Sequence, residues 1–177
     1  MSPIPTGRLF PTSTGADLVL TRTFRAPVED VWASLTESER TARWFGPWTG
    51  EPGPGRVIKV QMVFEEGEPK MDLRIDACEP PARLAVSTAE GEEIWHLEAL
   101  LQETGGVTEL RLVHHLDDPS KASDAGPGWE YYLDVFVAAR EDTAKPDFFA
   151  DYYPAMKPYF DGIIAELTDS ASADTAD

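Results

Sequence analysis

The chain has 177 residues, 42% of them hydrophobic, and sets 15 Lys plus Arg against 32 Asp plus Glu for a formal net charge of −17. That size suits one compact domain with modest extensions, and the acidity excludes nucleic acid and anionic membrane surfaces as partners, because both are gripped through a basic stripe. The longest uninterrupted apolar run, Val135 to Ala139, falls far short of the roughly 20 residues of a spanning helix; residues 1–15 carry no leader pattern, and a single cysteine, Cys78, excludes an intramolecular disulfide framework. A cytoplasmic protein is expected.

From Asp17 to Phe24, Leu18, Leu20 and Phe24 alternate with Val19, Thr21 and Thr23, which predicts a first strand. Pro27 fits the first position of a helix in which Val28, Val31, Trp32 and Leu35 recur at helical spacing. Thr36-Glu37-Ser38-Glu39 has the capping-box pattern and opens a second short helix leading to Trp44 and Phe45. Three prolines and four glycines from Gly46 to Gly55 mark a loop. Strands follow. Ile58, Val60, Met62 and Phe64 share one face, Met71, Leu73, Ile75 and Ala77 share the next, and Leu84 to Ser87 is reached through a Pro80-Pro81 turn.

Gly105-Gly106 between alternating runs predicts a two-residue hairpin turn, and pairing Thr104 with Val107 fixes the register. Leu101 then opposes Leu110, Ala99 opposes Leu112, Leu97 opposes His114 and Trp95 opposes Leu116 on the core face, while His96 and His115 are neighbours on the other. A polar loop from Asp117 to Gly128 precedes the longest helical stripe, Trp129, Tyr132, Leu133, Phe136, Val137 and Arg140. A further amphipathic segment carries Met156, Phe160, Ile163, Ile164 and Leu167, with docking on its own domain as the simplest use of its apolar face. Small and acidic residues from Ser170 onward predict disorder. The expected layout is an N-terminal extension (1–15), one domain (16–145), a helical extension (146–168) and an acidic tail (169–177).

A strand, two short helices, about five antiparallel strands and a long helix make an α+β layout in which a curved antiparallel sheet wraps a long C-terminal helix. In this order the chain resembles the activator of heat-shock protein ninety ATPase homologue family, within the START-like, birch-pollen-allergen-like (SRPBCC) superfamily of helix-grip folds. The matching stretches are Phe24-Arg25-Ala26-Pro27-Val28-Glu29-Asp30-Val31-Trp32, Thr36-Glu37-Ser38-Glu39 through Arg43-Trp44-Phe45, Gly53-Pro54-Gly55, Glu79-Pro80-Pro81-Ala82-Arg83-Leu84, Gly105-Gly106-Val107-Thr108-Glu109-Leu110, His114 and Gly128-Trp129. The resemblance implies a cavity between sheet and helix. Fold and chemistry separate in this superfamily, which holds carriers, receptors and cyclases.

The cavity wall is expected from Trp44, Phe45, Met62, Phe64, Leu73, Trp95, Leu97, Leu112, His114, Trp129, Tyr132, Leu133 and Phe136, an aromatic-rich set suited to an apolar ligand. A filled core is the competing explanation for the same stripe. Trp48 belongs to the same aromatic set, and Tyr132 and His114 are the polar contacts best placed to orient a ligand, with Ser87 and Thr108 as further options. No acid pair faces the interior, since Asp72, Arg74 and Asp76 point outward. His96 and His115 with Glu98 fall short of the three or four protein ligands of a zinc site, so no metal is assigned. No cofactor motif is present.

The leading expectation is therefore a protein that binds a small apolar or amphipathic molecule. A cyclase- or aromatase-like enzyme on a polyketide-like or aromatic substrate would use the same cavity, with His114 or Tyr132 moving protons. A chaperone partner is the reading that the family's name suggests, although the activators proper use an additional domain. The C-terminal amphipathic helix could also serve as a lid or as a homodimer contact.

Overall fold

Period-two alternation of apolar residues builds the sheet. In the computed structural model, which describes residues 2–174, β1 (Arg8–Thr12) and β2 (Gly15–Phe24) form a first hairpin, and α1 (Val28–Thr36) and α2 (Ser38–Thr41) follow. Then come β3 (Trp48–Thr49), β4 (Val57–Gln61), β5 (Lys70–Glu79), β6 (Arg83–Thr88), β7 (His96–Thr104) and β8 (Val107–Leu116). All pairings are antiparallel, in the order β1-β2-β8-β7-β6-β5-β4-β3. The curved open sheet packs against the long helix α3 (Ala122–Glu141), and α4 (Phe148–Asp151) and α5 (Lys157–Asp174) complete the described chain. No described helix is long and apolar enough to cross a membrane.

The glycine hairpin sets the register as expected: Leu101 opposes Leu110, Ala99 opposes Leu112, Leu97 opposes His114 and His96 opposes His115. Gly105 and Gly106 both take positive φ, which glycine alone adopts without strain. Trp95 departs from the expectation. It lies one residue before β7, where its N–H donates to Thr88 Oγ1, and it is 37% exposed.

Several elements differ from the sequence reading for local reasons. Residues 8–12, expected in an N-terminal extension, are an edge strand, a place where Pro11 and a mostly exposed side-chain pattern are tolerated. The capping box does not form, because Thr36 Oγ1 donates back to the Trp32 carbonyl and Ser38 Oγ bonds the Trp48 backbone instead. Strand β4 stops at Gln61, so Met62 and Phe64 lie beyond it. A bulge in β5 between Ile75 and Ala77 pairs Ala77 with outward-facing Ala85 and Cys78 with inward-facing Leu84, reversing the face predicted for Ala77.

Helix α3 begins at Ala122, so Gly126-Pro127-Gly128 lie within it and not in a loop. The cause is close packing: a Cβ at Gly126 would sit 2.4 Å from the Phe160 ring of α5, and one at Gly7 would sit 2.7 Å from it. Phe160 is fully buried in this notch, so the C-terminal helix docks on its own domain. Helix α5 also carries Ser170 to Asp174, where the composition predicts disorder; residues 175–177 lie outside the described chain.

Candidate functional site

Inward-facing residues of β4 to β8 form one wall of an apolar cavity of about 180 Å³. Ile58 and Val60 come from β4, Leu73, Ile75 and Cys78 from β5, Leu84 and Val86 from β6, Leu97 and Ala99 from β7, and Leu112 from β8. The opposite wall is Leu35, Thr36 and Thr41 of the short helices, then Trp44, Phe45 and Trp48 from the segment that follows them, while α3 contributes Trp129. The short helices and their following segment, more than the long helix, thus close the space.

Glu98 of β7 also borders the cavity, but its carboxylate accepts from Arg83 at 2.8 Å, and hydrogen bonding leaves the rest of the wall with almost no polar function to offer. Trp44 Nε1–H donates to the Ser34 carbonyl at 2.9 Å, Trp48 Nε1–H to the Thr36 carbonyl at 2.9 Å, and Trp129 Nε1–H to His114 Nδ1 at 3.1 Å. The hydroxyls of Thr36 and Thr41 donate to the carbonyls of Trp32 and Ser38. Three indoles therefore present ring faces and edges to the cavity while their N–H groups are engaged by the protein.

Of the thirteen residues expected around a ligand, Trp44, Phe45, Leu73, Leu97, Leu112 and Trp129 line this cavity, and the others do not. Met62 and Leu133 belong to the buried core. Phe136 is fully buried, with its ring edge-on to Phe24 and Trp44 at centroid distances of 5.4 and 4.9 Å, so the middle of α3 fills the space that the helix stripe suggested was open. Phe64 lies beside a surface depression near Arg43, with Lys145 Nζ 5.0 Å above its ring. Tyr132 packs on Phe45, and its hydroxyl donates to Glu65 Oε1 at 2.5 Å; burial and the neighbouring carboxylate push the phenol well above its ordinary value.

His114 is 4% exposed and stands behind Trp129, flanked by the Trp95 ring at 5.1 Å. Loss of hydration holds its pKa down at about 4, so it is neutral at pH 7, and acceptance of the Trp129 N–H at Nδ1 places its proton on Nε2. On the outer face His115 Nδ1 lies 2.6 Å from Asp17 Oδ1 beside His96. Among the described residues no group of three or more His, Cys, Asp or Glu is placed to hold a metal ion. Thr108 Oγ1 donates to the Ala26 carbonyl. Ser87, buried on the outer parity of β6, has its Oγ unpartnered among the described residues.

Cys78, Leu84, Val86, Ile58, Val60, Ile75 and Leu35 are wall residues that the expected set omitted. Strand parity was sufficient to find most of them. Cys78 was hidden by the bulge, which cannot be counted from alternation alone.

A curved antiparallel sheet gripping one long helix, with an apolar cavity under its strands, defines a helix-grip protein. The chain belongs to the family described as Activator of Hsp90 ATPase homolog 1-like protein, which it matches over residues 25–141. It is similar to the crystal structure of CalU16 from Micromonospora echinospora at 25% identity and a TM-score of 0.70, over 91% of this chain and 96% of that one. The protein encoded by gene BPP1335 from Bordetella parapertussis shares the fold at 22% identity and a TM-score of 0.69, over 91% and 94% of the two chains. DynU16, from the dynemicin biosynthetic locus, shares it at 21% identity and a TM-score of 0.62, over 71% of this chain and 47% of that one. No curated protein matches the chain.

Proposed function

We propose that the protein binds a small apolar or aromatic molecule in the cavity bounded by Trp44, Trp48 and Trp129. The observation that carries this reading is the engagement of all three indole N–H groups by protein acceptors, which leaves hydrocarbon and ring surface as the lining. An apolar cavity on the order of 150 Å³ stays dry and accepts benzene, so a space of about 180 Å³ suits a ligand portion of one or two rings. A cyclase- or aromatase-like reaction would need an acid or base in contact with that portion. His114 stands behind Trp129, the Tyr132 hydroxyl turns to Glu65, and the carboxylate of Glu98, which borders the cavity, is paired with Arg83, so none of the three is free for that role.

The test combines native mass spectrometry of the purified protein, denaturing extraction of anything that copurifies, and titration with naphthalene followed by tryptophan fluorescence. Saturable one-to-one binding is expected, together with slower maleimide labelling of Cys78 when the probe is bound. Ala99→Leu, which adds volume at the sheet wall, should weaken naphthalene at least tenfold while leaving the fold intact. An empty protein that binds no aromatic probe, or an affinity untouched by Ala99→Leu, would sink the reading.

A further inference from the structure

A second pocket lies behind Trp44, on the side away from the apolar cavity. It has a volume of about 160 Å³ and is lined by Asp30 and Ser34 of α1, Arg40 of α2, Arg43, Trp44, and Arg140 in the last turn of α3. Three of the chain's ten arginines meet here in a protein whose net charge is −17. The dipole at the C-terminus of α3 accounts for a cation at Arg140, but not for Arg40 and Arg43, which arrive from another part of the chain.

The guanidinium of Arg140 is held in place. Its side chain is 13% exposed, Nη1–H donates to Ser34 Oγ at 2.7 Å, and Nη2–H donates to Asp30 Oδ2 at 2.7 Å. Asp30 Oδ1 accepts from Arg40 Nη1 at 3.1 Å, so one carboxylate stands between two guanidiniums. Arg43 reaches outward to Asp142, and Arg40 Nε to Glu37 at 3.1 Å; both of these acids are strongly exposed and free to give way to another anion. Counting only the charges that line the pocket, three cations face one acid, an excess of two. Planar guanidinium forks match the oxygens of a phosphate group in pairs.

Next to this pocket is a depression of about 320 Å³ that shares Arg43 and Ala139 with it and continues along Phe64, Val135 and Lys145. Lys145 adds a fourth cation and Asp142, the partner of Arg43, a second acid, so the two linings together keep an excess of two positive charges, and Phe64 and Ala138 supply apolar surface. A ligand with a charged head and a hydrocarbon or aromatic body would find both halves of its chemistry within one continuous groove.

We infer that the Arg40, Arg43 and Arg140 pocket is a binding site for a phosphate-type dianion. The same chemistry can come from inorganic phosphate or from the head of an organic phosphomonoester whose body lies against Phe64. The overall acidity does not oppose this, because a polyanion needs a long basic stripe whereas a single head group needs one local excess of positive charge. The site and the apolar cavity share only Trp44 among their lining residues.

The experiment is calorimetric titration of the full chain, at constant ionic strength, with inorganic phosphate and with phenyl phosphate. Saturable binding of one equivalent is expected, weakened at least tenfold in Arg43→Gln and in Arg40→Gln, two half-exposed positions that should not disturb folding. Tighter binding of phenyl phosphate assigns the site to an organic phosphomonoester, whereas equal binding assigns it to phosphate itself. Ala99→Leu, in the apolar cavity, should leave both affinities unchanged. Absence of saturable binding of either probe at millimolar concentration, or binding that both glutamine variants retain in full, would overturn the assignment.

Discussion

Burial strips His114 of hydration, and its neutral imidazole accepts the Trp129 indole N–H, so a proton added to Nδ1 would both charge a dry site and break that bond. The carboxylate of Glu93 works in the opposite direction, while His115, Lys121 and His96 reinforce the depression; desolvation outweighs them all. An unfolded histidine titrates near 6.5 and this one at about 4, so the folded state binds fewer protons between those values. Stability contributed by His114 is therefore complete above pH 6.5, declines as the pH falls, and is lost in full below 4, a change on the order of 3 kcal/mol. His114→Asn keeps an acceptor for Trp129 but does not titrate in this range. Urea midpoints measured from pH 7 to 4 should fall more steeply for the natural protein than for the variant, and parallel curves would remove His114 from the account. The inward direction of His114 was legible from the Gly105-Gly106 register, but its bond to Trp129 was not, because a helix rotation relative to the sheet is not encoded in alternation.

At the scale of elements, α3 is buried on nearly every side, with Trp129, Glu130, Tyr131, Tyr132, Leu133, Val135 and Phe136 all buried. A helix covered all round loses the one-sided stripe that reveals its facing surface, and so the stripe through Tyr132 and Phe136 was legible as apolar but not as filled core. The helix start was equally hidden, since Gly126-Pro127-Gly128 reads as a turn unless Phe160 of α5 is known to occupy the notch. That notch makes a sign-reversing prediction. Gly126→Ala pushes a methyl into the Phe160 ring, itself held against Gly7, and should cost about 1–3 kcal/mol by overpacking. Phe160→Ala should cost about 3–5 kcal/mol through the cavity it leaves. With the ring gone, Gly126→Ala should become neutral or stabilising by up to about 1 kcal/mol, the ordinary helix preference for alanine over glycine. Denaturant unfolding of the four proteins measures the cycle, and a Gly126→Ala cost that persists without Phe160 would show that the ring is not what the glycine accommodates.

Across the whole molecule, the N-terminal segment and the C-terminal helices are both fastened to α3 where it meets Arg22 of β2. Glu130, 1% exposed, accepts from the backbone N–H groups of Thr6 and Gly7 at 2.5 and 2.7 Å and pairs with Arg22 at 2.9 Å. Arg22 also reaches Asp134, whose second oxygen accepts from Tyr152, and the Tyr159 hydroxyl of α5 donates to the Gly7 carbonyl. The N-terminal segment, the sheet and the C-terminal helices are thereby joined through one helix. A glutamate between Trp129 and Tyr131 gave no sign of this in the sequence, where an acid in a helix is ordinarily a solvated one, and its partners lie more than a hundred residues away. Glu130→Gln keeps the shape but removes the charge from a buried pair, leaving Arg22 with Asp134 alone and the Thr6 and Gly7 amides with a weaker acceptor. The expected loss is about 3 kcal/mol, toward the lower end for a broken buried ion pair because Asp134 remains. Hydrogen exchange locates the effect: protection should fall first at Thr6 and Gly7 and next in β1, while the Gly105-Gly106 hairpin keeps its rates. Unchanged protection at Thr6 and Gly7 would mean that packing of β1 and α5, and not the carboxylate, fastens the N-terminal segment.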